Sequence, residues 1–170
     1  TDKTLRLYNW MMPILDSRED LRKIKTLIFD MEMPVCREFI WADLRGIRFD
    51  PEKAKEVDAQ FEQEITELEN DIHEMLGDIN IGSPAQLKQK LFGELKLTDL
   101  ADGSTKSKVL EKIQREHPVV PKIIAHRKVA KLRSSFTEKL PKDIKQDGKI
   151  HPSHNTYGAK TGRFTCKSPN

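Results

Sequence analysis

One stretch narrows the architecture more than any other. Asp50-Pro51 opens, and Gly77 closes, a run whose apolar residues return at helical intervals. Aspartate followed by proline is a cap followed by a first-turn residue that needs no N–H, which suits a helix start. From there Val57, Phe61, Ile65, Leu68, Ile72 and Met75 recur at spacings of 4, 4, 3, 4 and 3, with Glu, Gln and Lys on the other sides. At about 100° per residue these positions make one apolar stripe on a long helix. The spacing also suits a coiled coil, but about three heptads inside a compact chain more often pack as an antiparallel helix pair. The chain is therefore read as mainly α.

A second helix is expected in PKIIAHRKVAKLRSSFTEKLP, residues 121–141, where Ala125, Val129, Leu132, Phe136 and Leu140 form a stripe at spacings of 4, 3, 4 and 4. On the same wheel Arg127, Lys131 and Ser134 fall roughly 160 to 220° from that stripe, with Lys128 beside them. Two long cations and a hydroxyl on one wet face can hold consecutive phosphates of a nucleic-acid backbone. The plainer reading of this stretch alone is a solvated basic face on an ordinary amphipathic helix.

Charge distribution bears on that choice. The net charge of the 170 residues is +3. Residues 1–103 carry 14 Lys/Arg against 22 Asp/Glu, and residues 104–170 carry 16 against 5, so the halves stand at −8 and +11. The second part faces polyanions, and the absence of a lipidation motif or a Trp/Phe-rich amphipathic face favours nucleic acid over membrane. No apolar run approaches the roughly 20 residues that cross a bilayer, and Thr1 opens no signal-peptide pattern. Charged residues make up 34% and aromatic ones 6%, with a mean hydropathy of −0.65, which suits a helical, surface-rich body. Cys36 and Cys166 lie far apart without a CxxC or Cys/His cluster, so a reduced, cytoplasmic setting is expected.

Elsewhere the chain punctuates itself. Residues 1–15 read as a helix, and Asp16 and Ser17 are candidate caps for a second one carrying Leu21, Ile24, Leu27 and Ile28 inward. A third is expected to begin near Pro34, bury Val35, Phe39, Ile40 and Ala42, and end at Gly46; Ile47-Arg48-Phe49 is an extended connector. Asn80 to Pro84 is a turn, with Ser83 or Pro84 opening a short helix that buries Leu87, Leu91 and Phe92. Residues 97–106 are the loosest segment, and a helix bearing Val109, Leu110 and Ile113 is stopped by Pro118. After the turn at Asp147-Gly148 the content is that of strands and loops.

Several sharper chemistries fail. Gly158-Ala159-Lys160-Thr161-Gly162 lacks the G-x-x-x-x-G-K-[ST] of a phosphate-cradling loop. His151, His154 and Cys166 lack a fourth zinc ligand at a suitable spacing, so no metal is assigned. Glu62, Glu64, Glu67 and Glu69 read as a solvated helix face, Trp10, Trp41, Met11 and Met12 as packing residues, and Cys36 as buried and inert.

Four stretches together are similar to the family A DNA polymerases, the DNA polymerase I type, and to their phage members most closely. They are MEMPVCREFIWADLRGIRFD at 31–50, NIGSPAQLKQKLF at 80–92, HRKVAKLRSSFTEKLP at 126–141 and DGKIHPSHNTYGAKTGRFTCKSPN at 147–170. The resemblance implies that residues 1–15 are the last helix of a 3′–5′ exonuclease domain, 16–146 a helical thumb with long antiparallel helices, and 147–170 a short β segment, the first strands of a palm. It implies duplex-backbone contacts at Arg127 and Lys131, with Ser134 on the same face, and further DNA contacts at Asn80 and Ser83. Within Thr161-Gly162-Arg163 it implies an arginine in the minor groove near the primer end, with Asn170 as a neighbouring contact. An enzyme that copies any sequence should grip phosphates and probe the nearly uniform minor-groove acceptors.

The family's catalytic carboxylates, which hold two metal ions, and its fingers helix belong to stretches beyond Asn170, and Asp2 falls just after the exonuclease's metal-binding aspartate. The resemblance therefore implies an inactive part of a magnesium-dependent polymerase. It would partner a primer–template duplex and the remaining palm and fingers, without a membrane, in the cytoplasm, or the host's cytoplasm for a phage protein. Two other readings are a non-catalytic helical nucleic-acid-binding module and an interaction scaffold built on the 51–76 helix.

Overall fold

Along the chain run α1 (Asp2–Ser17), α2 (Glu19–Thr26), α3 (Met33–Arg45), β1 (Ile47–Arg48), α4 (Pro51–Leu76), α5 (Pro84–Lys88), α6 (Ser107–Leu110), α7 (Val119–Leu132), β2 (Lys149–Ile150), β3 (Ser153–Asn155) and β4 (Thr165–Lys167). They are taken from a computed structural model that describes residues 2–100 and 102–169. As expected, the fold is mainly α with short antiparallel strands. The chain divides into two units, one from Asp50 to Lys142 and one combining the residues up to Phe49 with those from Asp143 onward.

In the Asp50–Lys142 unit, α4 starts where its sequence says. The Asp50 carboxylate accepts the Glu52 and Lys53 N–H groups at 3.1 and 3.0 Å, and Gly77 closes the helix. At 26 residues α4 is about 39 Å long. Helix α7 lies antiparallel to it: Asp71 pairs with Lys122, Glu69 with His126 and Asp58 with Arg133, so residue numbers fall along one helix as they rise along the other. The apolar core sits at one end of this pair. There Ile72 and Leu76 meet Ile81, Leu87 and Leu91 from the α5 region, Leu110 and Ile113 from the α6 region, and Val119, Val120 and Ile123 of α7. Toward the other end Val57, Phe61, Ile65 and Leu68 are half-buried, whereas Met75 is 37% exposed and Leu76 takes the inward place.

Two expectations for the second helix change. It begins at Val119, ahead of Pro121, because a proline in the first turn costs no intrahelical hydrogen bond. After Leu132 the chain makes a π turn, Arg133–Thr137, in which the Glu138 N–H donates five residues back to the Arg133 carbonyl at 3.0 Å. The inserted residue slips the helical phase by one position. Phe136, expected in the core, is 53% exposed, and Thr137 turns inward instead, donating its hydroxyl to Asp58 at 2.6 Å. The 97–106 segment is tied down at several points: the Thr98 N–H donates to Glu116 at 2.8 Å, the Gly103 N–H to Asp99 at 2.7 Å, and Lys88 to the Asp102 carbonyl at 3.2 Å.

The other unit is built differently. Neither Asp16 nor Ser17 caps α2; Asp16 pairs with Lys25 at 2.7 Å, and the Ser17 hydroxyl donates back to the Ile14 carbonyl at 2.7 Å. A π turn, Leu27–Glu32, joins α2 to α3 without a break, and α3 begins at Met33 with Pro34 in its first turn, as the proline led one to expect. Widening the turn relieves the clash between a proline ring and the carbonyl four residues earlier. Strand β1 pairs antiparallel with β2, Ile47 opposite Ile150, and β3 with β4, His154 opposite Cys166. Gly46 takes φ +68° beneath the His151 ring, which would lie 2.7 Å from any added Cβ.

Little is buried in this unit. Helices α1, α2 and α3 bury no residue fully; Trp10 and Trp41, expected to pack, are 65% and 60% exposed, Ile40 and Ala42 are exposed, and Cys36 is only half-buried. Those side chains lack a second layer within the unit.

Candidate nucleic-acid interface

Helix α7 and the turn after it present their basic side chains to two different surroundings. Toward α4, Lys122 meets Asp71, His126 Nε2 lies 3.1 Å from Glu69, and Arg133 donates to both Asp58 carboxylate oxygens at 3.0 and 3.1 Å. Glu62 and Glu138 lie 3.6 and 3.5 Å from the same guanidinium. Hydrogen bonds from Arg133 and then Thr137 hold the Asp58 carboxyl below its usual range, and the bond to Asp58 raises the arginine in turn. Thus Glu62 and Glu69, read from the sequence as merely solvated, face Arg133 and the His126 ring.

Lys128 and Lys131 remain exposed and unpaired among the described residues. Ser134 is exposed beside them and donates its hydroxyl to the Lys131 carbonyl at 3.2 Å. Arg127 differs from the wet-face expectation. It is half-buried and donates from Nη1 to the carbonyl of Thr105, a buried residue, and burial pushes its guanidinium below the usual arginine pKa. One arm of Arg127 therefore fastens the 97–106 segment to α7.

Asn80 and Ser83 shape the turn into α5. Asn80 Oδ1 accepts the Gly82 N–H at 2.9 Å, its carbonyl accepts the Ser83 N–H at 2.8 Å, and Ser83 Oγ accepts the Gln86 N–H at 3.5 Å. The Asn80 side chain is exposed, and its amide N–H groups are not used by the turn.

Thr161 and Arg163 belong to the unit that carries β3 and β4, and both are exposed. Gly162 between them adopts φ +72°, a region that favours glycine, and donates its N–H to the Ala159 carbonyl at 3.1 Å. Below this loop the His154 backbone N–H donates to Asp43 at 3.2 Å and its Nδ1 bonds the other carboxylate oxygen. That contact is the main reason the Asp43 carboxyl is held below its usual range. His151 Nδ1 donates to the Asp43 carbonyl at 2.7 Å and Nε2 faces Asp147 at 2.9 Å, which together raise the histidine's pKa. Both histidines are engaged by Asp43 and Asp147. Asn170 lies outside the described residues.

Residues 51–170 match the model of DNA polymerase family A. The chain belongs to that family. Across 99% of its length it is 34% identical to DNA polymerase I of Treponema pallidum, and across 97% it is 30% identical to the thermostable DNA polymerase I of Thermus thermophilus. A solved structure of the POL domain of Pol1 from M. smegmatis, in complex with DNA primer-template and dNTP, superposes with a TM-score of 0.78 at 28% identity, covering 94% of this chain. This family A chain spans 17% and 20% of the two curated relatives and 28% of the solved chain. Among its described residues no group of three or more His, Cys, Asp or Glu converges to hold a metal ion. No helix among them is long and apolar enough to cross a membrane.

Proposed function

We propose that this chain is the duplex-gripping part of a template-directed DNA polymerase acting in replication, with 16–146 as the thumb, 147–170 as the first palm strands and 1–15 as the end of an exonuclease-like domain. The observation that carries this reading is the split of charge on α7. Lys122, His126 and Arg133 are met by acids of α4, whereas Lys128 and Lys131 project into solvent. Two exposed lysines without a partner among the described residues offer charge to a phosphate backbone without reading bases. Arg163 supplies a second cation suited to the minor groove, and Thr161, Asn80, Ser83 and Asn170 are further contacts. The M. smegmatis structure, solved with primer-template, supports the same partner.

The chain works with the rest of a polymerase, as one longer polypeptide or as separate ones, in the cytoplasm. Sixteen exposed large hydrophobic residues lie between Leu5 and Ile47, far more than a soluble surface usually leaves bare, and the rest of the polymerase would cover them. By the family resemblance the carboxylates for polymerisation reside in the palm and those for proofreading in the rest of the exonuclease-like domain, so residues 1–170 alone neither polymerise nor proofread. Two measurements test the proposal. Purified chain should bind duplex DNA with an affinity that falls steeply between 50 and 200 mM salt and varies little with sequence, and should incorporate no nucleotide on primed DNA with magnesium. Salt-independent binding, or incorporation, would overturn it.

A further inference from the structure

Helix α3 presents Cys36, Phe39 and Asp43 at spacings of 3 and 4, which places them on one side of the helix. Each meets a different part of the segment that carries Arg163. Asp43 takes the His154 backbone N–H and ring N–H of β3. The His154 ring stacks on Phe39, centroids 4.8 Å apart and planes 11° from parallel. Phe39 then meets Phe164 edge to face at 4.9 Å and 86°. Cys36 Sγ lies 3.8 Å from the hydroxyl of Thr156, itself buried. The loop between Thr156 and Phe164 is thus held at both ends by a single helix face, while Tyr157 and residues 160–163 stand exposed in its middle. The three-residue strands β3 and β4 form too short a ladder to hold such a loop unaided.

We propose that Phe39, with Asp43 acting through His154, positions Arg163 for the duplex by fixing Phe164, the residue next to it. The inference rests on the reading of Arg163 as a duplex contact. Phe39 and Asp43 touch no DNA in this scheme; they are positioning residues. Gly162, at positive φ, decouples Arg163 from the turn before it, so Phe164 is the neighbour that sets where the guanidinium starts from.

The test measures duplex affinity of the full chain by fluorescence anisotropy at 50 mM salt, with circular dichroism as the folding control. Arg163→Ala should weaken binding about tenfold, the size of one lost charge-assisted contact. Phe39→Leu should weaken it by a similar factor, Phe39→Tyr should restore it, and Phe39→Leu with Arg163→Ala should be no weaker than Arg163→Ala alone. A residue that only supports the fold would multiply its effect onto that of Arg163→Ala. If Phe39→Leu loses the helical signal, Phe164→Leu, made at an exposed loop position, carries the same comparison. Unchanged affinity in Arg163→Ala would sink the reading of Arg163 as a duplex contact, and the positioning role with it. A tenfold loss there beside full affinity, or multiplicative loss, in the leucine variants would sink the positioning role alone.

Discussion

Arg127 and Lys131 share a helix face in sequence but not a fate in the structure, and separating them is the sharpest available measurement. Truncating Arg127 to alanine removes the donor to the Thr105 carbonyl and leaves an acceptor in a buried residue unpaired. Such a loss costs about 1–3 kcal/mol. For a unit of this size each kcal/mol moves the melting temperature by about 4–8 °C. Arg127→Ala should therefore melt at least about 4 °C below the parent chain by circular dichroism. Lys131 is exposed and unpaired among the described residues, so Lys131→Ala should leave the melt within about 0.5 kcal/mol of the parent. Its effect appears in binding instead. One phosphate contact contributes about 0.9 to the slope of log K against log salt, so the variant's slope should be shallower by about that much. Anisotropy titrations against one duplex from 50 to 200 mM salt resolve this. The reasoning fails if Lys131→Ala keeps the parent slope, or if Arg127→Ala melts with the parent. Replacing both at once would confound a loss of stability with a loss of contact.

Three further outcomes follow from the same geometry. Ile123→Ala, at a fully buried position where α7 meets the core, should lower unfolding free energy by about 2–5 kcal/mol in urea titrations, with no change in Lys131-dependent salt slope. The depressed Asp58 carboxyl contributes stability that is present above its unfolded pKa of about 3.9 and lost as pH falls through the lower folded value; Asp58→Asn should flatten the acid limb of a melting-temperature profile, and an unchanged limb would refute the role given to Arg133. His151, raised chiefly by the Asp43 carbonyl and then by Asp147, contributes stability that is full below about pH 6.5 and lost as pH rises through its higher folded value. An NMR titration of its ring should give a midpoint above that of a free histidine, and Asp147→Asn should bring it down.

Much of the fold was legible because helix ends are local chemistry. Asp50 caps with its own carboxylate, Ser83 with its own hydroxyl, and Gly46 and Gly77 leave their helices at positive φ, each within a few residues of the position that announced it. The π turns were not legible. Nothing in Arg133-Ser134-Ser135-Phe136-Thr137 marks an extra residue per turn, and a wheel drawn at constant pitch sent Phe136 to the core. The exposed side of α1 to α3 was missed for another reason: periodicity says which residues share a side, not whether anything lies opposite it.

The sequence alone determined where helices start and stop, that α4 needed a partner along one side, that the second half of the chain is the cationic half, and which family the motifs resemble. Only the tertiary structure decided which cations are spent internally. Asp58 and Arg133 are 75 positions apart, and Asp71 and Lys122 are 51 apart, so no local pattern announces that they meet. A charge's availability is set by what the fold brings within a few ångströms of it, and along α7 that is acid for Arg133, a backbone carbonyl for Arg127 and open solvent for Lys131.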